Sequence, residues 1–581
     1  MQSNLATEHK TLMFLGVNLR RDRLSLEDQD LSKAINADLH SVLGSISSRR
    51  GRDAIFASAL TDTDVRNVAR IGTTRYQVAG RSLYRAQTKI LDGLLSANLI
   101  TCVAPFRPLN ETSTWAFIAD DDRMLKDDGT SLRDWGIRAP TSAATLSTTG
   151  TGLTGSYKVR YTFARLVNSQ VVAESNPSAA SAAQVLANQS LAVSALQVPS
   201  DPQVTHLRLY RTFAGGAEYF FDQSIAAGTT TATSSQADTA LTDIIETDND
   251  QPPDASWVVF HQEHAFLCRD ADNPHYLWYS KRFKPDHVPS DNFLEIGQPT
   301  DPLQCGVSVA GVLGVFARQT KYRVLGNATT GFVAQESISR RGTRSPFSAV
   351  GTPRGVIFVA KDGVFVTDFT SEDIPFGDAI LPLFFGETVN DLSPINWDAA
   401  ETIACAYFKN RIYLAYPSGS NTTPDTVAVF SDDTKRWYFY QYPTHVRSFA
   451  VEEDLDQLIH GSTDGQAYIM ETGTTDDDEG EATDITMTVE KDFGKEAPNT
   501  YKLFQYATVD ADLGSESATV KLYVDETLKS TQTITGSRAN TVIDFPEGSL
   551  GMRARIQVSY TGDTQIKIHS LFVYSVPLAV A

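Results

Sequence analysis

Two apolar runs joined by a short polar turn decide the fold class. The clearest pair begins with Ile403-Ala-Cys-Ala-Tyr407, turns at Lys409-Asn410 and returns as Arg411-Ile-Tyr-Leu-Ala-Tyr416. Two further strands are indicated at Val427-Ala-Val-Phe430 and Trp437-Tyr-Phe439. Because side chains alternate between the two faces of a strand, this pattern predicts a small antiparallel sheet.

Six other stretches have the same form: an apolar strand, a polar turn and a second strand. They begin at Val68, Trp115, Trp257, Cys305, Gly355 and Leu458. After residue 255 the units recur about every 40–50 residues, which is typical of repeat architectures. The pattern therefore predicts an all-β chain built on a β-propeller, whose blades hide their edges against their neighbours. The alternative is an irregular series of β-sandwiches, and the divergent units do not fix a blade number.

The units are interrupted twice by stretches of different composition. Thr141–Gly155 is rich in Ser, Thr and Gly, which predicts a linker, and alternating strands follow it to about residue 245. Gly473–Glu481 is an acidic stretch, predicted to be a second linker, and further alternating strands follow. We expect five segments: an N-terminal arm with a short helix (1–56), the first blades (57–140), an inserted β-sandwich (141–255), the remaining blades (256–472), and the acidic linker with a C-terminal β-sandwich (473–581).

The net charge argues against a protein that holds duplex DNA. The 581 residues carry 50 Lys and Arg against 70 Asp and Glu, a formal charge of −20. A protein that neutralises phosphates shows the opposite balance. No apolar stretch approaches the roughly 20 residues that span a bilayer. The first residues lack a basic region followed by an apolar run, so we expect neither a Sec-type signal nor membrane insertion.

Motifs that carry chemistry are scarce. A G-x-G-x-x-G string occurs at Gly150, Gly152 and Gly155, but it follows no predicted strand and opens no predicted helix, as a dinucleotide site requires. His261 and His264 would face opposite ways on one strand, which argues against joint metal ligation. We expect a flexible linker at the glycines and ordinary packing at the histidines.

Acidic clusters and cysteines also give no strong site. Asp120-Asp-Asp122 and Asp127-Asp-Gly129 lack the spacing of an EF-hand loop and are more typical of solvated turns. The four dispersed cysteines indicate free, buried thiols. We expect no catalytic residue, cofactor or resident metal, and hence a chain that is not an enzyme. A pair of catalytic carboxylates drawn from distant blades stays open.

A set of motifs spread over the chain matches one family. The chain opens with Gly16-Val-Asn18, Leu24-Ser-Leu26, a predicted helix at Ala34–Leu43, and Arg49-Arg-Gly51. One blade contains Leu277-Trp-Tyr-Ser280, followed by Pro285, Pro289 and Asn292-Phe293. With these motifs the chain resembles the β-propeller tail proteins of short-tailed bacteriophages, the nozzle or tail tubular proteins. The inserted segment, with Glu174-Ser-Asn-Pro177, Leu209-Tyr-Arg-Thr212 and Asp243, is similar to their fibronectin type III-like module.

The resemblance implies a structural virion protein of the phage tail. Such a protein forms a ring, with a homo-hexamer expected, around the channel through which the genome is ejected. The implied partners are other copies of the chain, a tail adaptor, and tail fibre or spike proteins. Double-stranded DNA would pass without specific binding. The implied location is the virion, after assembly in the host cytoplasm.

The acidic C-terminal region is the candidate wall of that channel. Residues 447–581 hold 10 Lys and Arg against 23 Asp and Glu, a difference of −13. An acidic wall repels phosphates and leaves DNA free to move. The candidate lining residues are Asp476, Asp477, Asp478 and Glu479, unless the charge serves solubility alone. Alternative functions are a glycan-binding or glycan-cleaving β-propeller and a receptor-binding tail tip.

Overall fold

The structure is a computed structural model that describes residues 7–11, 13–97, 100–478, 481–495 and 500–578. Strands dominate these residues, and the α-helix they contain is the single turn Leu381–Phe384. The 3₁₀ helices are Arg23–Ser25, Asp238–Ala240, Pro346–Ser348, Asp378–Ile380, Trp397–Thr402 and Glu453–Leu455. The all-β prediction is therefore confirmed. In the described part of the chain no helix is long and apolar enough to cross a membrane.

Seven groups of four hydrogen-bonded strands, which we call the first to seventh sheets, occur in the described residues. The first five are separate sheets, and the last two are parts of larger sheets. The first contains Val65–Ile71, Thr74–Ala79, Ser82–Arg85 and Thr88–Leu91. The second contains Thr101–Phe106, Trp115–Asp120, Leu125–Asp127 and Leu132–Asp134. The third contains Trp257–His261, His264–Cys268, Tyr276–Tyr279 and Phe293–Glu295. The fourth contains Leu303–Val309, Val312–Ala317, Lys321–Asn327 and Gly331–Glu336.

The last three sheets complete the repeat. The fifth contains Ala349–Thr352, Gly355–Ala360, Gly363–Thr367 and Ile374–Pro375. The sixth contains Ala404–Phe408, Arg411–Tyr416, Thr426–Ser431 and Arg436–Tyr440. The seventh contains Val446–Glu452, Gln457–Ser462, Ala467–Met470 and, from the N-terminal arm, Arg52–Ala54. This series of small sheets confirms the β-propeller prediction.

The turn chemistry explains why these sheets form where the sequence predicts them. Lys409 and Asn410 both have positive φ, 47° and 58°, between the paired residues Phe408 and Arg411. Two central residues of this kind make the two-residue turn whose twist matches the flanking strands. The hairpin that decides the fold class is thus fixed by local sequence.

The chain between the second and third sheets forms two sheets of its own. One contains Thr145–Tyr157, Gln184–Ser194 and Ala232–Ser234. The other contains Val159–Val167, Gln170–Glu174, His206–Thr212 and Tyr219–Ala226. The predicted linker at Thr141–Gly155 is therefore wrong over most of its length. Its Ser, Thr and Gly residues lie on a strand that is largely exposed, and the register shift after Thr149 accommodates the glycines.

The C-terminal region also contains two sheets. One contains Ile485–Phe493, Ser517–Val524, Thr527–Thr535 and Ala554–Gly562. The other contains Thr7–Thr11, Lys502–Asp512, Ala539–Asp544, Leu550–Gly551 and Lys567–Pro577. The predicted acidic linker is wrong as well, because Asp476–Asp478 and Glu481–Thr483 pair as strands beside Arg52–Ala54.

The N-terminal arm contains strands where a helix was expected. They are Gly16–Val17, Asp30–Leu31, Lys33–Ile35, Ala37–Asp38 and Ile46–Ser48. The helix predicted at Ala34–Leu43 is wrong, because Ile35 pairs with Phe439 on one side and with Thr488 on the other. Asn36 has a φ of 53°, which no α-helix accepts. Through Lys33–Ile35 the sixth sheet continues into a C-terminal sheet.

Contacts divide the chain into two compact units. The first comprises residues 1–70, 77–80 and 337–581, and the second comprises 71–76 and 81–336. The first unit has one large apolar core that the arm, the last sheets and the C-terminal strands share. The second unit has three cores, one of which lies between the two sheets of the inserted segment.

Candidate functional site

The structure places Asp476 and Asp477, two of the four predicted channel-lining residues, beside the arm. Asp476 is only 2% exposed, so the prediction that it lines an open channel is wrong. The Asp477 carboxylate is half-buried and accepts a hydrogen bond of 3.1 Å from the Ala54 backbone N–H. The backbone of Asp478 is in the same strand. The Asp478 side chain and all of Glu479 lie outside the described residues.

Asp476 is buried because it pairs with an arginine of the arm. Its two oxygens accept hydrogen bonds of 2.8 and 2.5 Å from the two Nη groups of Arg49. Arg49 also donates from Nε to Asn36 at 2.9 Å and lies 4.3 Å from the ring centre of Tyr442. Burial alone would lower the pKa of Arg49, but the Asp476 carboxylate raises it above its ordinary value. The arrangement is a satisfied structural ion pair.

A second arm arginine lies nearby among aromatic rings. The Arg52 guanidinium is 3.9 Å from the ring centre of Tyr468 and donates to His460 Nε2 at 3.3 Å. Burial, together with the charge of Arg52, holds the pKa of His460 well below 6.5. His460 is therefore a neutral hydrogen-bond acceptor rather than an acid or a base.

The acidic residues considered for metals are engaged in structural bonds. Asp120 is buried and accepts from Thr101 Oγ1 at 2.6 Å, and Asp127 is buried and accepts from the Tyr76 hydroxyl at 2.6 Å. His261 and His264 face each other across a hairpin rather than pointing apart on one strand. Within the described ranges no group of three or more His, Cys, Asp or Glu could hold a metal ion.

The four cysteines are buried, unpaired thiols. Cys102 donates to the Val258 carbonyl at 3.4 Å. Burial raises the pKa of Cys102 and of Cys268 to about 12. A thiol that stays protonated is a poor nucleophile, so these groups serve packing.

A pocket of about 640 Å³ lies in the second unit between the second sheet and the inserted segment. We call it the junction pocket. Its lining residues are Arg123, Leu125, Leu132, Arg133, Asp134, Arg138, Ala139, Thr141, Phe163, Gln197, Pro199, Ser200, Asp201 and Pro202. Its volume is in the range of ordinary ligand sites, and its lining mixes apolar surface with charged and amide groups.

The charges of the junction pocket are partly paired. Arg123 lies 3.6 Å from Asp134, and both side chains are partly exposed. Arg133 lies 2.8 Å from Asp128, outside the pocket lining. Partial burial would raise the pKa of Asp128, but hydrogen bonds from Thr130 and Arg133 hold it below its usual range. Three guanidinium groups and two carboxylates thus meet at one cleft.

A smaller pocket of about 490 Å³ lies in the first unit. Its lining residues are Asn18, Arg20, Arg21, Phe376, Asp378, Ala379, Lys435, Arg436 and Trp437. Each of its cations has an acidic partner. The distances are 3.3 Å for Arg20 and Asp378, and 2.7 Å for Arg21 and Glu27. Lys435 pairs with Asp432, and Arg436 lies 2.8 Å from the buried Asp30. This pocket therefore has little free positive charge.

Sequence reasoning missed the junction pocket entirely. Its residues come from three short segments: 123–141, Phe163, and 197–202. None of these segments carries a recognisable motif. They meet only because the inserted sheets pack against the second sheet, for example where Gln203 donates to the carbonyls of Asp134 and Gly136 at 3.1 Å each.

Comparisons with known proteins add one group of solved structures. No protein-family model matches the chain, and no curated protein does. The chain is similar to crystal structures of an exo-β-1,3-galactanase from Phanerochaete chrysosporium, two of them of variant enzymes with β-1,3-galactotriose and one with galactose. The TM-scores are 0.23, 0.23 and 0.21 at 8% identity, over 56% of this chain and 96–97% of the galactanase.

These comparisons correct one expectation from the sequence. The similar structures are glycoside hydrolases, which contradicts the prediction that the chain is not an enzyme, and that prediction is withdrawn. At these TM-scores the comparison transfers no activity or active-site residue to this chain.

Proposed function

We propose that this chain is a structural protein of a bacteriophage tail, of the nozzle or tail-tube kind, and forms part of the channel for genome ejection. The observation that carries the proposal is the role of the family-like motifs at the start of the chain. Gly16, Arg49 and Gly51 of these motifs lie where the arm contacts the last sheets and the strand Asp476–Asp478.

The two motif glycines are required by close backbone contacts. A Cβ added at Gly51 would lie 1.6 Å from the Thr475 carbonyl oxygen. A Cβ added at Gly16 would lie 2.6 Å from the Cβ of Arg436 and 2.7 Å from the Trp437 carbonyl oxygen. Any larger residue would push the arm away from its partners. The motifs therefore have a physical reason that is structural rather than catalytic.

The blade motif around residue 280 has a similar role. Tyr276 and Phe293 stack at 4.3 Å between ring centres, and Trp278 lies 5.2 Å from Phe293. Ser280 is fully buried, and its hydroxyl accepts from the Ala265 backbone N–H at 2.9 Å. These contacts join the strand Tyr276–Tyr279 to both of its neighbours in the third sheet.

Under this proposal the chain assembles into a ring, a homo-hexamer, with an adaptor and tail fibres or spikes as neighbours. A net charge of −20 keeps DNA from adhering, because each Lys or Arg contact would add salt-dependent affinity. Asp477 is the candidate for the channel wall that the structure leaves partly accessible.

The proposal is tested by assembly and by location. We expect mass photometry of the purified chain to detect a defined ring-sized oligomer, and negative-stain images to show a central hole. Antibodies against the chain should label one end of tailed particles from infected cells. A chain that stays monomeric and labels no particle would contradict the proposal.

A second candidate function is glycan binding, with or without cleavage. The observation that favours it is the junction pocket, where Asp134, Asp201 and hydrogen-bonding side chains lie in one cleft. Two carboxylates on either side of a bond are what glycoside hydrolysis requires. Because the similar galactanase was solved with β-1,3-galactotriose, that trisaccharide is a suitable first probe.

Substitutions at Asp134 and Asp201 distinguish binding of the trisaccharide from its cleavage. If the pocket binds the trisaccharide, calorimetry should detect it. If Asp134 and Asp201 also cleave it, Asp134→Asn and Asp201→Asn should each abolish product formation while binding persists. A chain that neither binds nor cleaves any sugar on a glycan array would exclude this second candidate without affecting the first.

A further inference from the structure

We propose that the junction pocket binds a carboxylate-bearing sugar of an acidic glycan. This inference rests on the second candidate function, glycan binding, and names its ligand class. It is drawn from the charge pairing, the wall chemistry and the rigidity of the pocket.

One cation of the pocket has no ion-pair partner within 4 Å among the described residues. Arg123 is paired with Asp134, and Arg133 is paired with Asp128. Arg138 is exposed and forms no ion pair within 4 Å with any described residue, although its charge opposes the rise that partial burial gives to the pKa of Asp254. A planar guanidinium matches a carboxylate with two parallel hydrogen bonds, so a ligand carboxylate would satisfy this group.

The two carboxylates of the pocket lining are already engaged by neighbouring side chains. Asp201 accepts from the Gln203 side-chain N–H at 2.7 Å and from the Gln203 backbone N–H at 3.0 Å. Asp134 faces Arg123. An anionic ligand at Arg138 would therefore not have to break an ion pair of 4 Å or less to a described residue.

The remaining walls fit the rest of a sugar ring. Leu132, Ala139, Pro199 and Pro202 supply apolar surface for its C–H groups. Gln197 accepts from the Thr141 backbone N–H at 2.8 Å and from its hydroxyl at 3.1 Å, through Oε1. Its amide N–H groups make no hydrogen bond to a described residue, so they are available to sugar hydroxyls.

The pocket is held in shape before a ligand arrives. Gln203 is 2% exposed and ties Asp201 to the carbonyls of Asp134 and Gly136. Ile137 belongs to the apolar core of the inserted sheets. A site whose walls are fixed in this way does not lose affinity to ordering of those walls on binding.

Calorimetric titration with two matched disaccharides tests the inference. The probes are digalacturonic acid and neutral galactobiose, each titrated into the full-length chain in low-salt buffer. We expect digalacturonic acid to bind about tenfold more tightly, as one additional charge-assisted contact would give. Salt at about 1 M should reduce that preference, because the contact is partly exposed.

Replacing Arg138 gives the decisive comparison. Arg138→Gln should weaken the binding of digalacturonic acid and bring the two affinities within about twofold. The matched control is Arg282→Gln, which removes a surface charge from a side chain that is 57% exposed and outside the pocket. The control should keep the full preference.

The possible outcomes distinguish the acidic-sugar inference from the glycan-binding proposal on which it rests. Equal binding of both disaccharides, or a preference that survives Arg138→Gln, would overturn the acidic-sugar inference and leave glycan binding standing. Absence of binding by either disaccharide, with a native thermal unfolding profile, would overturn both. The expected preference, lost only in Arg138→Gln, would support both.

Discussion

Arg49 and Asp476 form a two-bond ion pair across 427 positions of sequence. The arginine side chain is 1% exposed and the aspartate side chain is 3% exposed. The pair joins the N-terminal arm to the strand Asp476–Asp478, which extends the seventh sheet. It explains why the acidic run is not a solvated linker at Asp476. The first of them neutralises a buried cation, so its position is fixed.

Breaking this pair should destabilise the first unit. Removing one partner leaves the other charge buried and unpaired, which costs on the order of 3–5 kcal/mol. We expect Arg49→Ala or Asp476→Asn to lower the urea unfolding midpoint markedly. The exposed pair Lys409 and Asp456 is the control, with Lys409→Ala expected to cost less than about 1 kcal/mol. Equal effects at the two pairs would contradict the assignment.

The backbone contact beside this pair gives a second prediction. Gly51→Ala would place a methyl group 1.6 Å from the Thr475 carbonyl oxygen, and a backbone atom cannot yield as a side chain can. We expect loss of soluble protein or a large fall in unfolding temperature. Gly473→Ala is the matched control, because its nearest contact is an ordinary 3.6 Å and its positive φ costs only about 1 kcal/mol. A Gly51→Ala protein as stable as the control would refute the close contact.

The repeat was predictable from sequence because its determinants are local. In the sixth sheet, Lys409 and Asn410 set the turn and the flanking residues alternate, so strands and register follow within about fifteen residues. The arm was not predictable in this way. Ile35 takes its strand partners from Phe439 and Thr488, some 400 residues away, and nothing near Ile35 indicates them. Local propensity therefore favoured a helix, and tertiary pairing overrode it.

Exposure was harder to predict than strand position. Asp476 belongs to an acidic run that is typical of solvated turns, and its burial depends on Arg49 far away in sequence. The junction pocket has the same origin. Arg138 and Gln197 are unremarkable surface residues until the inserted sheets bring them to one cleft. Sequence composition constrains the fold class, but a site assembled from distant segments leaves no local pattern.

Acid should weaken the second unit through His287. This ring is almost fully buried, and its Nε2 accepts from the Glu174 backbone N–H at 3.1 Å. Burial lowers the pKa of His287 to about 4, against 6.5 in an unfolded chain. Between these values the unfolded state binds the extra proton, so stability present above pH 6.5 is lost as pH falls towards 4. The loss from this group is about 3 kcal/mol at the lower end.

Replacing His287 tests how much of the pH dependence of stability comes from this residue. Urea unfolding of the wild-type chain and of His287→Gln should be compared at pH 7 and pH 4.5. We expect the difference between the two pH values to shrink in His287→Gln, since glutamine can accept the same hydrogen bond but does not titrate. An unchanged pH slope would show that another group carries the effect.

A test of the channel hypothesis must leave Asp476 unchanged, because its carboxylate is paired with the buried Arg49. Replacing all four of Asp476, Asp477, Asp478 and Glu479 with Lys should unfold the arm, because Asp476 would be lost from its pair with Arg49. Replacing Asp477, Asp478 and Glu479 while keeping Asp476 spares that pair. If the proposed tail role holds and these residues face the channel, added lysines would grip passing phosphates. Genome ejection should then be slower, most clearly at low salt, where screening is weakest. Ejection at the wild-type rate in low salt, from particles that incorporate the variant normally, would remove these residues from the channel wall and leave solubility as the role of their charge.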